Sequence, residues 1–412
     1  MAKFTAPKGT LDVLAPQSRR YAELVARYAA RVTAAGYDLV VLPMFEDAEV
    51  FTRLGESTDV VRKEMYEFDD KGGRRIALKP DGTAPVARAF IEHQPTTPWK
   101  VWYLTPKFRY ERPQKGRYRQ HHELGLEVIG TADPDIDVEV IAIAAALYAD
   151  LGLHQVTLKL TSLGDNTCRP QYRELLQAYL EAHRDELCDE HRDRIAENPL
   201  RVLDCKRPAC MAVTDGAPKM LDHLCDDCAA HFARVRAGLD ALAIDYQVDA
   251  KLVRGLDYYT RTTFEFTAAA LDAAQNGAGG GGRYDGLVET LGGKPTPGIG
   301  FGLGIERILL ACDAEQVFPA PDAIVDVFVI DTTGGEAARD VTHALRAAGM
   351  AADRAFDARS FKSQLTAAQR SGARFAVVIE DDGLQLRTLT EKGEPEVLTR
   401  DTVVDAVRKR LS

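Results

Sequence analysis

Apolar residues recur at Tyr21, Leu24, Val25, Tyr28 and Val32, the spacing of one helical face, and Gly36 stands where such a helix would end. This predicts an amphipathic helix over 18–35. The apolar run Leu39–Leu42, closed by Pro43, predicts a short strand, and from there to Ile129 the pattern is strand-rich with hairpin signals. Residues 135–152 return to helix around the Ala-rich run Val140–Ala149. A charged, helical stretch over about 165–245 holds most of the cysteines and reads as an insertion. Strand signals resume at Leu252–Phe266, followed by a glycine cluster and a strand-to-helix passage over 298–311. Residues 313–324 carry two prolines and read as a linker. Beyond it, strand-like Val327–Ile330, Phe375–Ile379 and Leu384–Leu389 alternate with helical 336–348, 361–371 and 401–411, which predicts a compact α/β domain.

Composition narrows the class. With 412 residues, 45% of them hydrophobic, the chain suits a globular protein of two or three domains and excludes a disordered or disulfide-stapled one. The net charge is −10, so any nucleic-acid role must use a local basic patch. The first residues lack an apolar signal core. Val140–Ala149 is about half the length a bilayer span needs. A cytoplasmic protein with no membrane partner is expected. In a reducing compartment the seven cysteines would be thiols or metal ligands.

The chemistry concentrates in a few segments. Lys107–Ile129 has two alternating runs around a Pro/Gly loop, a long β-hairpin. Period two puts Lys107, Arg109 and Glu111 on one face and Phe108 and Tyr110 on the other. In the second run Leu124, Leu126 and Val128 share the core face, opposite Glu123, Gly125 and Glu127. Residues 107–119 hold six cations against one anion, which is either a solvated hairpin tip or a phosphate-attracting patch. In Gly298–Arg307, glycine at every second position strips one strand face, so that a flat ring could lie on the backbone. Arg307 then falls near a helix start and suits a terminal phosphate; a tightly packed corner is the plainer alternative. Gly277–Asp285 satisfies G-x-G-x-x-G, but LDAAQN before it is no strand and no Lys-Ser/Thr follows, which excludes Rossmann and P-loop sites. In Leu252–Phe266, Arg254 beside Gly255 could lie along a ligand, and Tyr258 and Tyr259 offer hydroxyls.

Cys205-x₄-Cys210 and Cys225-x₂-Cys228, with Cys188-x₂-His191 upstream, have zinc-like spacing. A structural zinc on Cys205, Cys210, Cys225 and Cys228 is one reading. Reduced thiols in a helical insertion is the favoured one.

Taken together, these segments resemble the class II aminoacyl-tRNA synthetases and, within them, the histidyl-tRNA synthetases, over essentially the whole chain. Helix 18–35 with the strand ending at Pro43 is similar to motif 1, the dimerisation element; FRYERPQKGRYRQHHELGLE to motif 2; GIGFGLGIER to motif 3. LVRGLDYYTRTTFEF and GGGGRYDGLV resemble the histidine-recognition signatures, and LKPDGTAPVAR (78–88) the substrate-amine loop. The resemblance implies an α+β fold: an antiparallel catalytic sheet with flanking helices over 1–320, including the helical insertion, and an anticodon-binding α/β domain over 325–412. It implies a homodimer that activates histidine with ATP as substrate and Mg²⁺, then passes histidine to its tRNA. Arg109, Arg254 and Arg307 would be catalytic, holding phosphates; Glu111, Arg117 and Gln120 would add ATP contacts. Glu127 and Tyr259 would meet the imidazole, lined by Tyr258 and Tyr284, with Arg109 and Arg254 also near the amino acid. Asp81, Gly82, Thr83 and Glu123 would meet the ammonium; Asp81 and Glu123 stand where relatives usually have Glu and Gln. The alternative, a histidine-binding regulatory subunit of ATP phosphoribosyltransferase, would be expected to lose the phosphate-handling arginines and the last domain, which are retained. A retired scaffold that only binds RNA is disfavoured by the same residues.

Overall fold

Leu24, Tyr28 and Val32, one turn apart, are fully buried, and they make α1 (Gln17–Ala34) a helix with one committed face. Gly36, at φ +82°, turns the chain out of it. The structure is a computed structural model that describes residues 4–53, 60–255, 257–271, 276–321, 325–357, 359–381, 383–391 and 393–411. It divides into two compact units, Met1–Pro319 and Ala320–Ser412.

In the first unit the strands are β1 (Asp38–Leu39), β2 (Phe45–Asp47), β3 (Tyr66–Asp69), β4 (Arg75–Leu78), β5 (Trp99–Phe108), β6 (Gln120–Ile129), β7 (Val156–Ser162), β8 (Gln247–Val248), β9 (Thr260–Ala268), β10 (Gly277–Arg283) and β11 (Gly298–Gly304). Among the described residues, eight of them form one sheet in the order β1-β5-β6-β11-β10-β9-β7-β8, antiparallel except at its two ends. Helices α1 and α4 (Pro134–Asp150) cover its apolar face. Helix α4 is the buried helix the sequence predicts. Its start is fixed by Asp133, whose carboxylate accepts from the Asp135 amide, and by Pro134 in the first turn. The remaining helices of this unit are α2 (Glu49–Thr52), α3 (Thr83–His93), α5 (Arg169–Ala182), α6 (Asp189–Arg192), α7 (Leu200–Leu203), α8 (Pro208–Asp215), α9 (Asp226–Ala241), α10 (Leu287–Thr290) and α11 (Ile305–Glu315). Helices α5 to α9 are the insertion. Its own core gathers Tyr172, Leu176, Leu180, Val202 and Cys210.

Four local expectations are corrected. The strand expected over Leu39–Leu42 pairs only at Asp38–Leu39. The strand expected from Leu252 begins at Thr260, which leaves Arg254, Tyr258 and Tyr259 on a loop. Segment 78–88 is no simple loop: α3 starts at Thr83, with the Asp81 carboxylate accepting from the Ala84 amide at 3.0 Å and Pro85 in the first turn. The glycine cluster is a central strand. A Cβ at Gly281 or Gly282 would strike the backbone of β11 or β9, so close strand approach overrides glycine's poor strand propensity.

The second unit has β12 (Val327–Asp331), β13 (Ala352–Arg354), β14 (Phe375–Glu380), β15 (Gly383–Thr388) and β16 (Glu396–Leu398), with α12 (Glu336–Ala347), α13 (Phe361–Ser371) and α14 (Val403–Leu411). Its sheet, ordered β13-β12-β14-β15-β16, is parallel on one side and antiparallel on the other. Val329, Leu345, Val377 and Val407 are fully buried in its core.

Candidate active site

Register builds the floor. Gly300 pairs with Glu127, Gly302 with Gly125, and Gly304 with Glu123. A Cβ at Gly300 would overlap the Glu127 carboxylate, one at Gly302 the Glu123 carboxylate, and one at Gly125 the Tyr103 ring. The stripped face of β11 is therefore filled at these two glycines by carboxylates lying across the strand. Only toward Gly304, where nothing stands within 4 Å of a Cβ, is it open to a ring. Leu124, Leu126 and Val128 point the other way and are fully buried.

Glu127 is fully buried among hydroxyls. Thr83 Oγ1 donates to one oxygen at 2.7 Å, the Tyr284 hydroxyl to the other at 2.7 Å, and the Tyr103 hydroxyl at 3.2 Å. Burial pushes its carboxyl up to about 8, against the pull of the Thr83 and Tyr284 bonds, with Asp81 and Glu123 adding to the rise. Tyr258 reaches Asp81 at 3.4 Å and packs on Tyr259 with centroids 4.7 Å apart. Glu123 is ion-paired with Lys107 Nζ at 2.6 Å. Three acidic residues thus share one region without three bare charges: one is paired, one carries its proton at neutral pH, and Asp81 accepts from an amide.

Beside this acid–tyrosine pocket lies a cleft lined by Lys107, Arg109, Arg117, Arg254 and Arg307 together with Glu111, Glu123, Glu265 and Glu306. Five cations against four anions make it one unit positive in a chain of −10. The cations are not equivalent. Arg117 is paired with Glu111, Lys107 with Glu123, and Arg254 with Glu265 at 3.0 Å. Arg109 instead donates to the Pro80 carbonyl at 3.0 Å, and Arg307 to the carbonyls of Gly116 at 3.1 Å and Gly277 at 2.9 Å. Among the described residues these two carry no carboxylate partner within salt-bridge distance; Arg109 acts on Glu64 and Glu111, and Arg307 on Glu111 and Glu265, only at longer range. Arg254 Nε is buried without a hydrogen-bond partner. A Cβ at Gly280 would come 2.9 Å from Arg254 Nη1, so bare β10 makes room for that guanidinium.

The residues singled out in the sequence fall into these two groups. Arg109, Glu111, Arg117, Glu123, Arg254 and Arg307 line the cleft; Asp81, Thr83, Glu127, Tyr258, Tyr259 and Tyr284 form the pocket, with Gly82 packed against the Tyr103 ring. Gln120 opens β6 opposite Phe108 and is not among the cleft-lining residues. Arg109 and Glu111 lie past the end of β5, on the connecting loop rather than on the strand face. Sequence reasoning passed over Tyr103, His121 and Glu265. Extending period two back along β5 from Lys107 reaches Tyr103, and along β9 from Thr263 reaches Glu265. His121, in the cleft, has its pKa lowered by burial and by Lys107, Arg109 and Arg307.

The cysteine grouping is corrected. Cys205 and Cys210 come together with Cys188 and His191, whereas Cys225 and Cys228 join Asp165 and Cys168. Residues distant in sequence meet through the turns of the insertion, which spacing alone does not show. No helix among the described residues is long and apolar enough to cross a membrane.

A family profile described as histidyl-tRNA synthetase matches residues 9–308, and one described as an anticodon binding domain matches 324–410. The chain is 51% identical over 413 residues to the histidine–tRNA ligase of Rhodococcus erythropolis, covering 98% of this chain and 97% of that one. It is 48% identical over 423 residues to the histidine–tRNA ligase of Mycobacterium tuberculosis, covering 100% and 99%. The crystal structure of apo histidyl-tRNA synthetase from S. aureus superposes with a TM-score of 0.83 at 34% identity, covering 98% of this chain and 100% of that one. A Bacillus halodurans structure titled as an ATP phosphoribosyltransferase regulatory subunit/histidyl-tRNA synthetase shares the fold, with a TM-score of 0.67 at 20% identity, covering 92% and 99%. On these matches the chain belongs to the histidyl-tRNA synthetase family.

Proposed function

We propose that this chain works as a histidine–tRNA ligase, with histidine in the acid–tyrosine pocket, ATP in the cationic cleft, and tRNA as acceptor. The observation that carries the reading is the pairing pattern. Arg109 and Arg307 are held by carbonyls with no carboxylate in ion-pair contact among the described residues, and a fully buried Glu127 is surrounded by hydroxyls. The first arrangement suits phosphate oxygens and the second suits a small planar group with ring nitrogens.

In the activation step the histidine carboxylate attacks the α-phosphorus of ATP and pyrophosphate leaves. Arg109 and Arg254 hold the α-phosphate side, and Arg307, in the first turn of α11, holds the terminal phosphates. Mg²⁺, when bound with ATP, would supply counter-charge to the phosphates, and the protein's own part is alignment and charge neutralisation. Glu127 and Tyr259 take the imidazole nitrogens, and Asp81 and Thr83 face the ammonium. Glu123 acts by placing Lys107 at the boundary of the two pockets. Glu111 faces the adenine once Arg117 shifts from it toward ATP, and Gln120 stands at the outer rim.

Residues 1–320 carry this chemistry and 325–412 read the anticodon; the two compact units and the family matches to 9–308 and 324–410 support that division. The working form is a cytoplasmic homodimer. Its support is an edge strand, β1, in a segment where Leu39, Val41, Met44 and Phe45 are all exposed, an apolar stretch that a second copy would cover. The test is ATP-dependent attachment of labelled histidine to a tRNA pool from a bacterial source. Attachment that periodate oxidation of the tRNA 3′ end abolishes is expected. Protein that binds histidine yet charges no tRNA would favour the regulatory-subunit reading.

A further inference from the structure

We propose that Cys188, His191, Cys205 and Cys210 form a structural zinc site that ties the insertion to the loop carrying Arg254. Their four ligand atoms lie within 4.8 Å of one another. Cys188 Sγ is 3.1 Å from His191 Nδ1, and the Cys188 amide donates to Cys210 Sγ at 3.3 Å, the kind of N–H···S bond that orients a thiolate toward a metal. Zinc bonds of about 2.3 Å to sulfur and 2.0–2.1 Å to nitrogen place tetrahedral ligand atoms roughly 3.5–3.8 Å apart, so the wider separations need to close slightly while Cys188 Sγ and His191 Nδ1 move apart a little. Three cysteine sulfurs and one imidazole, buried or half-buried, are the donor set of a closed zinc site once the thiols deprotonate on binding.

The fold shows why a metal is useful there. Between the first ligand and the last, regular structure consists of α6 and α7, four residues each, and the first turn of α8. Helices that short do not hold themselves, and the insertion core alone must order them. The segment enclosed by the ligands also does work for the catalytic unit. Arg201 Nη2 donates to the Gly255 carbonyl at 3.0 Å and Asn198 Nδ2 to Asp257 Oδ1 at 3.3 Å. A metal that closes 188–210 therefore fixes the backbone next to Arg254.

The second cluster is a built-in contrast. The Asp165 carboxylate already accepts from the Thr167 amide at 2.9 Å and pairs with Arg261 at 3.2 Å, so it is satisfied without an ion.

The experiment measures metal by mass spectrometry on full-length, untagged protein, and visible absorption after replacement with Co²⁺. Zinc in the wild type, an absorption typical of tetrahedral cobalt thiolate, loss of that metal in Cys210→Ser and His191→Ala, and its retention in His191→Cys and Cys228→Ser are expected. Because Cys210→Ser alters a buried position, His191→Ala against His191→Cys separates ligand loss from misfolding. Metal removal should lower the melting midpoint by roughly 5 °C or more and raise amide exchange over 192–204 while β6 stays protected. Wild-type protein that carries no zinc and takes up no Co²⁺ would overturn the proposal. So would metal lost in Cys228→Ser but kept in Cys210→Ser.

Discussion

Replacing Arg254 with Ala should slow histidine activation by about 10²–10³-fold, the usual cost of removing one preorganised donor, equivalent to roughly 3–4 kcal/mol of transition-state stabilisation. The structure sets the expectation. One guanidinium nitrogen is engaged by Glu265 at 3.0 Å, Nε is buried without a partner, and the group lies 5.9 Å above the Tyr259 ring. The guanidinium lines the cleft, where it can meet a phosphate whose charge grows as the carboxylate attacks. Truncation also strands Glu265, but that side chain is 23% exposed and water compensates part of the loss. The folding cost should stay near 1 kcal/mol, well below the catalytic effect. Steady-state ATP–pyrophosphate exchange on folded protein should show a fall in kcat with a smaller change in KM for histidine. Arg254→Lys should recover only part of it, because a point charge cannot reproduce a planar fork. Glu265→Gln, which keeps the guanidinium, should cost far less. A near-wild-type kcat in Arg254→Ala would refute the reasoning and make Arg254 a structural residue.

Other consequences can be measured separately. Gly300→Ala puts a methyl into the space of the Glu127 carboxylate, so KM for histidine should rise and stability fall by about 1–3 kcal/mol in thermal melts; unchanged values would contradict the register. Burial raises the Glu127 carboxyl to about 8, so the empty site favours its protonated form near neutral pH, and an incoming ammonium favours ionisation. Histidine binding should then release protons, seen calorimetrically as a buffer-dependent enthalpy whose absence would mean Glu127 is already ionised. The same shift has a sign for folding: since the folded pKa lies above the unfolded one, the contribution is full below the ordinary carboxylate range and is lost as pH rises through about 8. Deleting residues 325–412 should leave exchange largely intact and cripple tRNA charging; normal charging by the truncated protein would remove the anticodon role from that unit.

Periodic features were legible in the sequence. Helices α1, α4, α11, α12 and α13 follow apolar spacing to within a few residues, and the alternation over 123–128 separates the core face from the site face. What escaped were features set by partners distant in the chain. The glycines of β10 look like a loop until β9 and β11 are seen pressing from both sides. Helix α3 looks like a turn because Asp81-Gly82-Thr83 and Pro85 signal one locally, although the same residues also start a helix. Lys107 neutralising Glu123 explains how three acidic side chains coexist, and hairpin register, which pairs Lys107 with His121, brings it there. The cysteines paired correctly in twos by spacing, but which pair meets which depends on the path of α5 to α9.

The central claim is that the pocket around Glu127 selects histidine for reaction with ATP. Exchange of labelled pyrophosphate into ATP, with Mg²⁺ and each standard amino acid in turn, tests it most directly. A site built to hydrogen-bond a substrate group discriminates by roughly 10⁴-fold or more against analogues that lack it. Exchange with histidine alone is the predicted result; comparable exchange with proline, threonine or glycine would contradict the account.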